Sequence, residues 1–427
     1  ERLAAHGTMA ATARQDDIAR FLSWAEGDPP FGARTRLVKI ASLAITGTLW
    51  VTIVLHAAHL TATAWWGLPL IAGVILSFAT VSQVHDAFER AGGADRALSR
   101  YTGLFEHATA MQFATPALQQ LQRRLTAGGL SAPVCMRRLD RLVGFAQLRS
   151  GAALLHFPIQ ALTLWDFHVL FALERWRRSA GPRLRDWFRA LAELDALAVL
   201  AAPRDENPDW GTPQISDDPV FAARHIGHPL IPNDRRVSND VEVGPPGTLL
   251  LVTGSNMSGK STLLRAIGVN AVLAQAGTSV CAAQLRMPPV DLQTSVSVHD
   301  SLERGLSYFM AALARLKAVI DAAEHERPGR ILMYLLDEIL QGTNSIERGI
   351  AVRAVARHLL NARAIGAMTT HDLSLAGEEP LSSAARLVHF TETVDEAGAM
   401  RFDYTLRPGL ATSRNALRLM QLIGIDL

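Results

Sequence analysis

The sequence predicts an α/β domain built on a parallel sheet, preceded by an all-helical region that begins with two strongly apolar helices. Three observations carry that prediction. A glycine-bounded segment, "TGSNMSGKST" (Thr253 to Thr262), joins a continuous apolar run to a helical one. Between Lys39 and Asp86 lie 46 residues with no Asp, Glu, Lys or Arg, in a chain that is 19% charged. From about Gly92 to Leu200 the sequence is rich in Ala, Leu and Arg, with apolar residues three and four apart and few Gly or Pro.

At 427 residues the chain is long enough for two or three domains, each burying its own core. Cys135 and Cys281 lie far apart, show no metal-ligand or CxxC spacing, suit a reducing compartment and are expected as small buried hydrophobes. The net charge of +2 hides an uneven distribution: Arg96 to Asp195 holds fourteen Arg against seven Asp or Glu. Only Lys39, Lys260 and Lys317 are Lys among the 42 basic residues, so charge here is generally arginine.

Residues 1–36 form an N-terminal segment; no basic stretch followed by an apolar one opens it, so no cleaved signal is expected. Residues 37–90 are expected as a two-helix transmembrane hairpin. Composition alone would put about nine charges in the uncharged window. It divides into Ile40 to Leu60 and Trp65 to Val84, each near the roughly 20 residues that a spanning helix needs. Trp50, Trp65 and Trp66 suit an interface, and Arg34, Arg36 and Lys39 on one side with Arg90 and Arg96 on the other would hold both ends in the cytosol. The alternative is a buried hairpin of a soluble protein, since His56, His59, Gln83 and several Thr dilute the apolar signal. Leu154 to Trp176 contains His156, Pro158, Asp166 and His168 and is expected as a pair of core helices rather than a third span.

Residues 91–201 form the helical core or lever domain. Its pairs Arg123/Arg124, Arg137/Arg138 and Arg177/Arg178 could neutralise nucleic-acid phosphates or simply line a solvated face. The Pro- and Asp-rich residues 202–220 are expected as a linker, and 221–427 as the α/β domain.

In that domain "GTLLLVTG" reads as a strand buried on both faces, and "STLLRAIGVNAVLAQAG" as a helix ending at Gly277. Strand, loop and helix are the context that a GxxxxGK[ST] phosphate loop requires, filled by Gly254, Gly259, Lys260 and Ser261. Glycines let successive N–H groups curl round phosphate oxygens at the positive end of a helix. Ser255, Asn256, Met257, Ser258 and Thr262 complete the loop, Lys260 would bridge the β- and γ-phosphates, and Ser261 would complete the shell of a Mg²⁺ ion. A second strand, "RILMYLLDE", ends in Asp337, expected to hold the Mg²⁺ through water, and Glu338, expected to polarise the attacking water. A third, "AIGAMTTH", brings His371 to the same sheet edge, where it could sense the γ-phosphate.

"TGSNMSGKST", "DSLERGLSYFMAAL", "LLDEILQGTNSIERG" and "MTTHDL" together resemble the ATPase domain of the MutS mismatch-repair family, with good cover from about Phe221 to Leu427. The resemblance implies a MutS/ABC-like P-loop NTPase fold, ATP and Mg²⁺ as cofactors, and a homodimer with composite sites. In such a dimer Ser307 reaches the partner's γ-phosphate, and Thr343 and Asn344 lie at the interface. The family commonly carries an acidic residue shortly after the block's Phe, where this chain has Ala311 and Ala312. Family members that detect mismatches carry an N-terminal domain with a Phe-x-Glu wedge, and here the apolar hairpin takes that position; the match Phe390 to Glu392 lies behind the ATPase motifs and reads as accidental.

Two functions follow as expectations: a dimeric ATPase switch acting on mismatched or structured DNA, or a membrane-bound engine acting on a protein or membrane partner through residues 37–90, with the ATPase domain on the cytoplasmic side. The adenine pocket is expected around His228 to Val237. An ABC-type transporter ATPase would carry an LSGGQ-like stretch before the second strand, and none is present.

Overall fold

The three-and-four apolar spacing of the front of the chain is realised as helices: α1 (Gln15–Glu26), α2 (Thr35–Ala57), α3 (Gly67–Ala79), α4 (Val81–Gly92), α5 (Asp95–Ala110), α6 (Pro116–Thr126), α7 (Ala132–Gly151), α8 (Ala153–Thr163) and α9 (Trp165–Glu206). The structure is a computed structural model that describes residues 15–92, 95–255, 257–296, 308–325, 328–340, 345–394 and 400–410. Its contacts divide the chain into two units, Glu1–Val199 and Leu200–Leu427.

The core of the first unit centres on α9, whose Trp176, Leu184 and Trp187 pack with Phe105, Leu125, Met136 and Leu139. Trp176 satisfies its indole N–H on the carbonyl of buried Cys135 at 2.7 Å. Arg177 is not available to a nucleic acid: it is buried, pairs with Glu174 at 2.5 Å, donates to the Gly27 carbonyl and lies over the Trp24 ring. Arg124 is likewise committed to Asp186 at 2.5 Å and Glu193 at 3.2 Å, and Arg137 to Glu106. One arginine of each pair therefore holds helices of this unit together.

The apolar window is built differently from the expected hairpin. Gly32–Ala57 is long and apolar enough to cross a membrane, and only 11% of its most apolar window is buried. Leu37, Ile40, Leu43, Val51 and Val54 face outward, while the buried residues of α2 are Thr35, Ser42 and Leu49. The second segment is not one straight helix. It breaks at Thr80, whose hydroxyl bonds back to the Leu76 carbonyl at 2.8 Å, and α4 leaves α3 at 60°. Helical spacing accompanies the break: α4 buries Val84, Phe88 and Ala91, four and three apart, and is an ordinary amphipathic helix. The expected pair of core helices at Leu154 to Trp176 also divides. The start of α9 is buried, but α8 leaves Leu154 96% exposed and Phe157 73% exposed.

The second unit holds β1 (Gln214–Ile215), β2 (Phe221–Ile226), β3 (Asn239–Val243), β4 (Leu249–Thr253), α10 (Lys260–Gln275), β5 (Gln284–Met287), β6 (Val290–Ser295), α11 (Tyr308–Glu324), β7 (Ile331–Asp337), α12 (Ser345–Asn361), β8 (Ile365–Thr370), α13 (Leu381–Ala384), β9 (Ala385–His389), β10 (Glu392–Val394), β11 (Met400–Phe402) and β12 (Arg407–Pro408). Residues 202–220, expected as a linker, carry the end of α9 and the strand β1, which pairs with β5.

The main sheet runs β12-β9-β4-β8-β7-β6, parallel except for β12. Its central strands β4, β7 and β8 are largely apolar because both faces are covered. Leu250, Val252, Met333, Leu335 and Ile365 face α10, whereas Leu249, Leu251, Tyr334, Leu336 and Met368 face α11 and α12. The second sheet runs β1-β5-β2-β3. Because β8 separates β4 from β7, the loop after β4 and the carboxylates after β7 leave the same edge two strands apart.

Candidate functional site

The phosphate-loop sequence follows β4, whose five residues are all buried. Gly254 takes φ +140°, and a Cβ there would lie 2.9 Å from the Phe390 carbonyl oxygen. Gly259 takes φ +109° and caps α10. These are the two places where the backbone demands glycine. Met257 also has positive φ (+68°) and is 85% exposed at the loop tip. Ser258 is buried, and its hydroxyl has no hydrogen-bond partner among the described residues.

Lys260 is buried, and its ammonium gathers the loop around it by donating to the carbonyls of Gly254 at 2.9 Å and Ser255 at 2.8 Å. Its Nζ also lies 3.2 Å from Glu338 Oε1. Glu338 follows β7 with φ +42°, and its backbone N–H donates to Thr369 Oγ1 at 3.0 Å. The same hydroxyl donates to Asp337 Oδ1 at 2.7 Å. Thr369 sits on β8 opposite Asp337 in register and is 1% exposed, so one buried hydroxyl fixes both carboxylate residues. His371 Nδ1 is 3.5 Å from Glu338 Oε2, and Arg348 Nη2 is 3.4 Å from His371 Nε2. Arginine can only donate, so Nε2 is the acceptor in that contact and Nδ1 is the nitrogen facing Glu338.

Met257, Gly259, Lys260, Ser261, Thr262, Asp337 and Glu338 line one cavity of about 700 Å³. The cavity extends to Ile226 to Asn239, including His228, Ile231 and Arg236. His228 accepts the Leu230 N–H at Nδ1, and burial, reinforced by Arg265, pushes its pKa below the ordinary value. Asn270 of α10, fully buried, ties this segment to the phosphate-loop helix by donating to the Gly227 carbonyl at 3.0 Å and accepting the Cys281 N–H at 2.6 Å. A loop turned at two glycines, with a buried ammonium and a buried hydroxyl that has no hydrogen-bond partner among the described residues, suits a phosphate chain. The Ser261 hydroxyl and the Asp337 carboxylate are hard oxygen donors of the kind that Mg²⁺ takes.

The structure thus brings Lys260, Ser261, Asp337, Glu338 and His371 to one sheet edge. Asn256, Ser307, Thr343 and Asn344 lie outside the described residues. Thr369 and Asn270 were missed in the sequence because a Thr in a strand and an Asn in a helix carry no signal until β8 and the Gly227 segment are placed. Phe390 and Glu392, whose match to the wedge pattern lies behind the ATPase motifs, have a structural place here. Glu392 is buried and accepts the Ser255 hydroxyl at 2.8 Å, and Phe390 donates its N–H to the Thr253 carbonyl and lines the cavity. They support the loop from behind.

A parallel α/β sheet, a glycine-turned loop feeding a helix and facing carboxylates define a nucleotide-binding class of domain. The family model for MutS domain V matches residues 250–426. The DNA mismatch repair protein MutS 2 of Halobacterium salinarum is 32% identical over 269 residues, which cover 61% of this chain. The chain spans 30% of that relative's length. Over residues 250–426 the chain is thus similar to MutS domain V.

Proposed function

We propose that the second unit binds ATP with its phosphates in the loop Gly254 to Thr262 and hydrolyses it. The observation that carries this is the pairing of buried Lys260 with half-buried Glu338 on the wall of a cavity large enough for a nucleotide. Lys260 grips the β- and γ-phosphates, and the loop N–H groups of Ser255 to Thr262 hold the rest of the phosphate chain. Glu338 orients the attacking water and draws its proton, while His371 holds the second oxygen of that carboxylate. Ser261 and Asp337 would hold a Mg²⁺ ion, which would supply positive charge beside the phosphate oxygens. The adenine lies against the segment from His228 to Val237.

By family likeness the working form is a homodimer in which Ser307 and Asn344 complete the partner's site, and the switch acts on mismatched or structured DNA. That reading is supported by the named activity of the relative, DNA mismatch repair. A second reading, a membrane-bound engine working on a protein or membrane partner, is favoured by the outward apolar surface of α2. It keeps α2 and α3 in the bilayer, with the ATPase domain on the cytoplasmic side.

The test is ATP binding by the purified chain beside Lys260→Ala. Removing a buried charge-assisted contact is expected to weaken binding by roughly a hundredfold, about 3 kcal/mol. Unchanged affinity contradicts the site. A panel of duplex, branched and mismatched DNA with and without ATP, together with carbonate fractionation, separates the two readings. Salt-sensitive DNA binding supports the first, and release from membranes by carbonate removes the second.

A further inference from the structure

Helix α8 is turned inside out for a helix in water. Leu154, Leu155 and Phe157 are 96%, 57% and 73% exposed, while its polar side chains point inward. His156 Nε2 lies 2.7 Å from Asp166 Oδ1, and both side chains are buried. Gln160 donates to Ser77 Oγ of α3 at 3.0 Å and accepts the Asp166 N–H at 2.9 Å. Arg149 Nη1 approaches Asp166 Oδ2 at 3.6 Å, and the Thr163 hydroxyl is spent on the Ile159 carbonyl at 2.6 Å. Satisfying every polar side chain internally while presenting bare hydrocarbon outward is the arrangement that a hydrocarbon solvent demands, because no water is there to solvate them.

The surroundings say which apolar medium covers this face. Helix α8 packs on α2 and α3, and Phe157 lines one cavity of about 230 Å³ together with Phe78 of α3. The exposed surface of α8 is therefore continuous with Ile71, Ile75 and Phe78 on α3, beside the helix long enough to span. Eleven residues give about 16 Å at the helical rise, roughly half of a 30 Å hydrocarbon core. Backbone breaks at Ala152 and at left-handed Leu164 bound the helix and let the chain turn at both ends.

We propose that α8 is a monolayer-deep helix embedded in the same bilayer as α2, its Leu154, Leu155 and Phe157 face against lipid acyl chains. The seam of His156, Asp166, Arg149, Gln160 and Ser77 is the polar interior of that membrane-embedded part. This rests on the membrane reading given above, and it adds a third element that the sequence assigns to a soluble core.

The test uses the full wild-type chain in phosphatidylcholine vesicles that carry a photoactivatable diazirine on the acyl chain, with adducts mapped by peptide sequencing. Adducts on Thr35–Ala57 and on Leu154, Leu155 and Phe157, but not on His156 or Gln160, are expected. Adducts on Thr35–Ala57 with none on 153–163 overturn the proposal and leave the membrane reading standing. Adducts on neither segment overturn both. Labelling of His156 and Gln160 as heavily as Phe157 overturns the orientation, and with it the proposal.

Discussion

Helices α10 and α2 are both rich in apolar residues, yet α10 buries nine of its 16 residues and α2 three of its 23. In α10 the buried set is Leu263, Leu264, Ile267, Ala271 and their neighbours, pressed on a sheet. In α2 it is Thr35, Ser42 and Leu49, with the large side chains outside. Apolar content therefore tells which residues avoid water, not what replaces it. The helix at the site uses its apolar face to hold Lys260 in place, whereas α2, though it packs on α3 and α8, leaves most of its large side chains uncovered.

The contrast is sharpest under truncation. Leu264→Ala, at a fully buried position in α10, is expected to cost about 2–5 kcal/mol in chemical denaturation of the second unit. Val51→Ala, 58% exposed on α2, is expected to move stability by less than about 0.5 kcal/mol. Equal costs would mean that α2 has a protein partner covering it.

A smaller effect is expected at Thr369, where the polar positioning of the site is concentrated. Thr369→Val removes the hydroxyl shared by Asp337 and Glu338 and leaves those groups without it, a cost of about 1–3 kcal/mol in stability. ATP turnover should fall more than ATP affinity, and Thr369→Ser should restore turnover. A Thr369→Val protein with unaltered turnover would show that the carboxylates are held otherwise.

The smallest effect concerns His228. Burial lowers its pKa in the folded protein, so the unfolded chain takes up the proton first as pH falls. Its contribution to stability is complete above the unfolded value of 6.5 and is lost as pH falls from there toward the lower folded pKa. His228→Gln should flatten this part of the unfolding profile measured from pH 7 to pH 5; an unchanged slope rejects the assignment.

The legibility of the sequence follows the same division. The runs around Leu251, Leu335 and Ala367 are strands because no surface strand is apolar on both faces, and Gly254 and Gly259 announce the loop because only glycine tolerates their φ. The break at Thr80 was hidden, since Trp65 to Val84 reads as one apolar run until Val84, Phe88 and Ala91 find a core. Thr369, Asn270 and Glu392 act through residues more than ten positions away, a distance over which local pattern is silent. Arg177 was misjudged for the same reason: its partners Gly27 and Trp24 lie far back in the chain.

The most direct test of the proposed chemistry is single-turnover hydrolysis of ATP by Glu338→Gln, with ATP affinity measured on the same preparation. A carboxylate that positions and deprotonates water is expected to be worth about 10²–10⁴ in rate, so the cleavage step should slow by that factor while ATP remains bound as tightly as to the unaltered chain. Cleavage at the original rate with binding intact would contradict the assignment of Glu338 and the hydrolytic centre built around it.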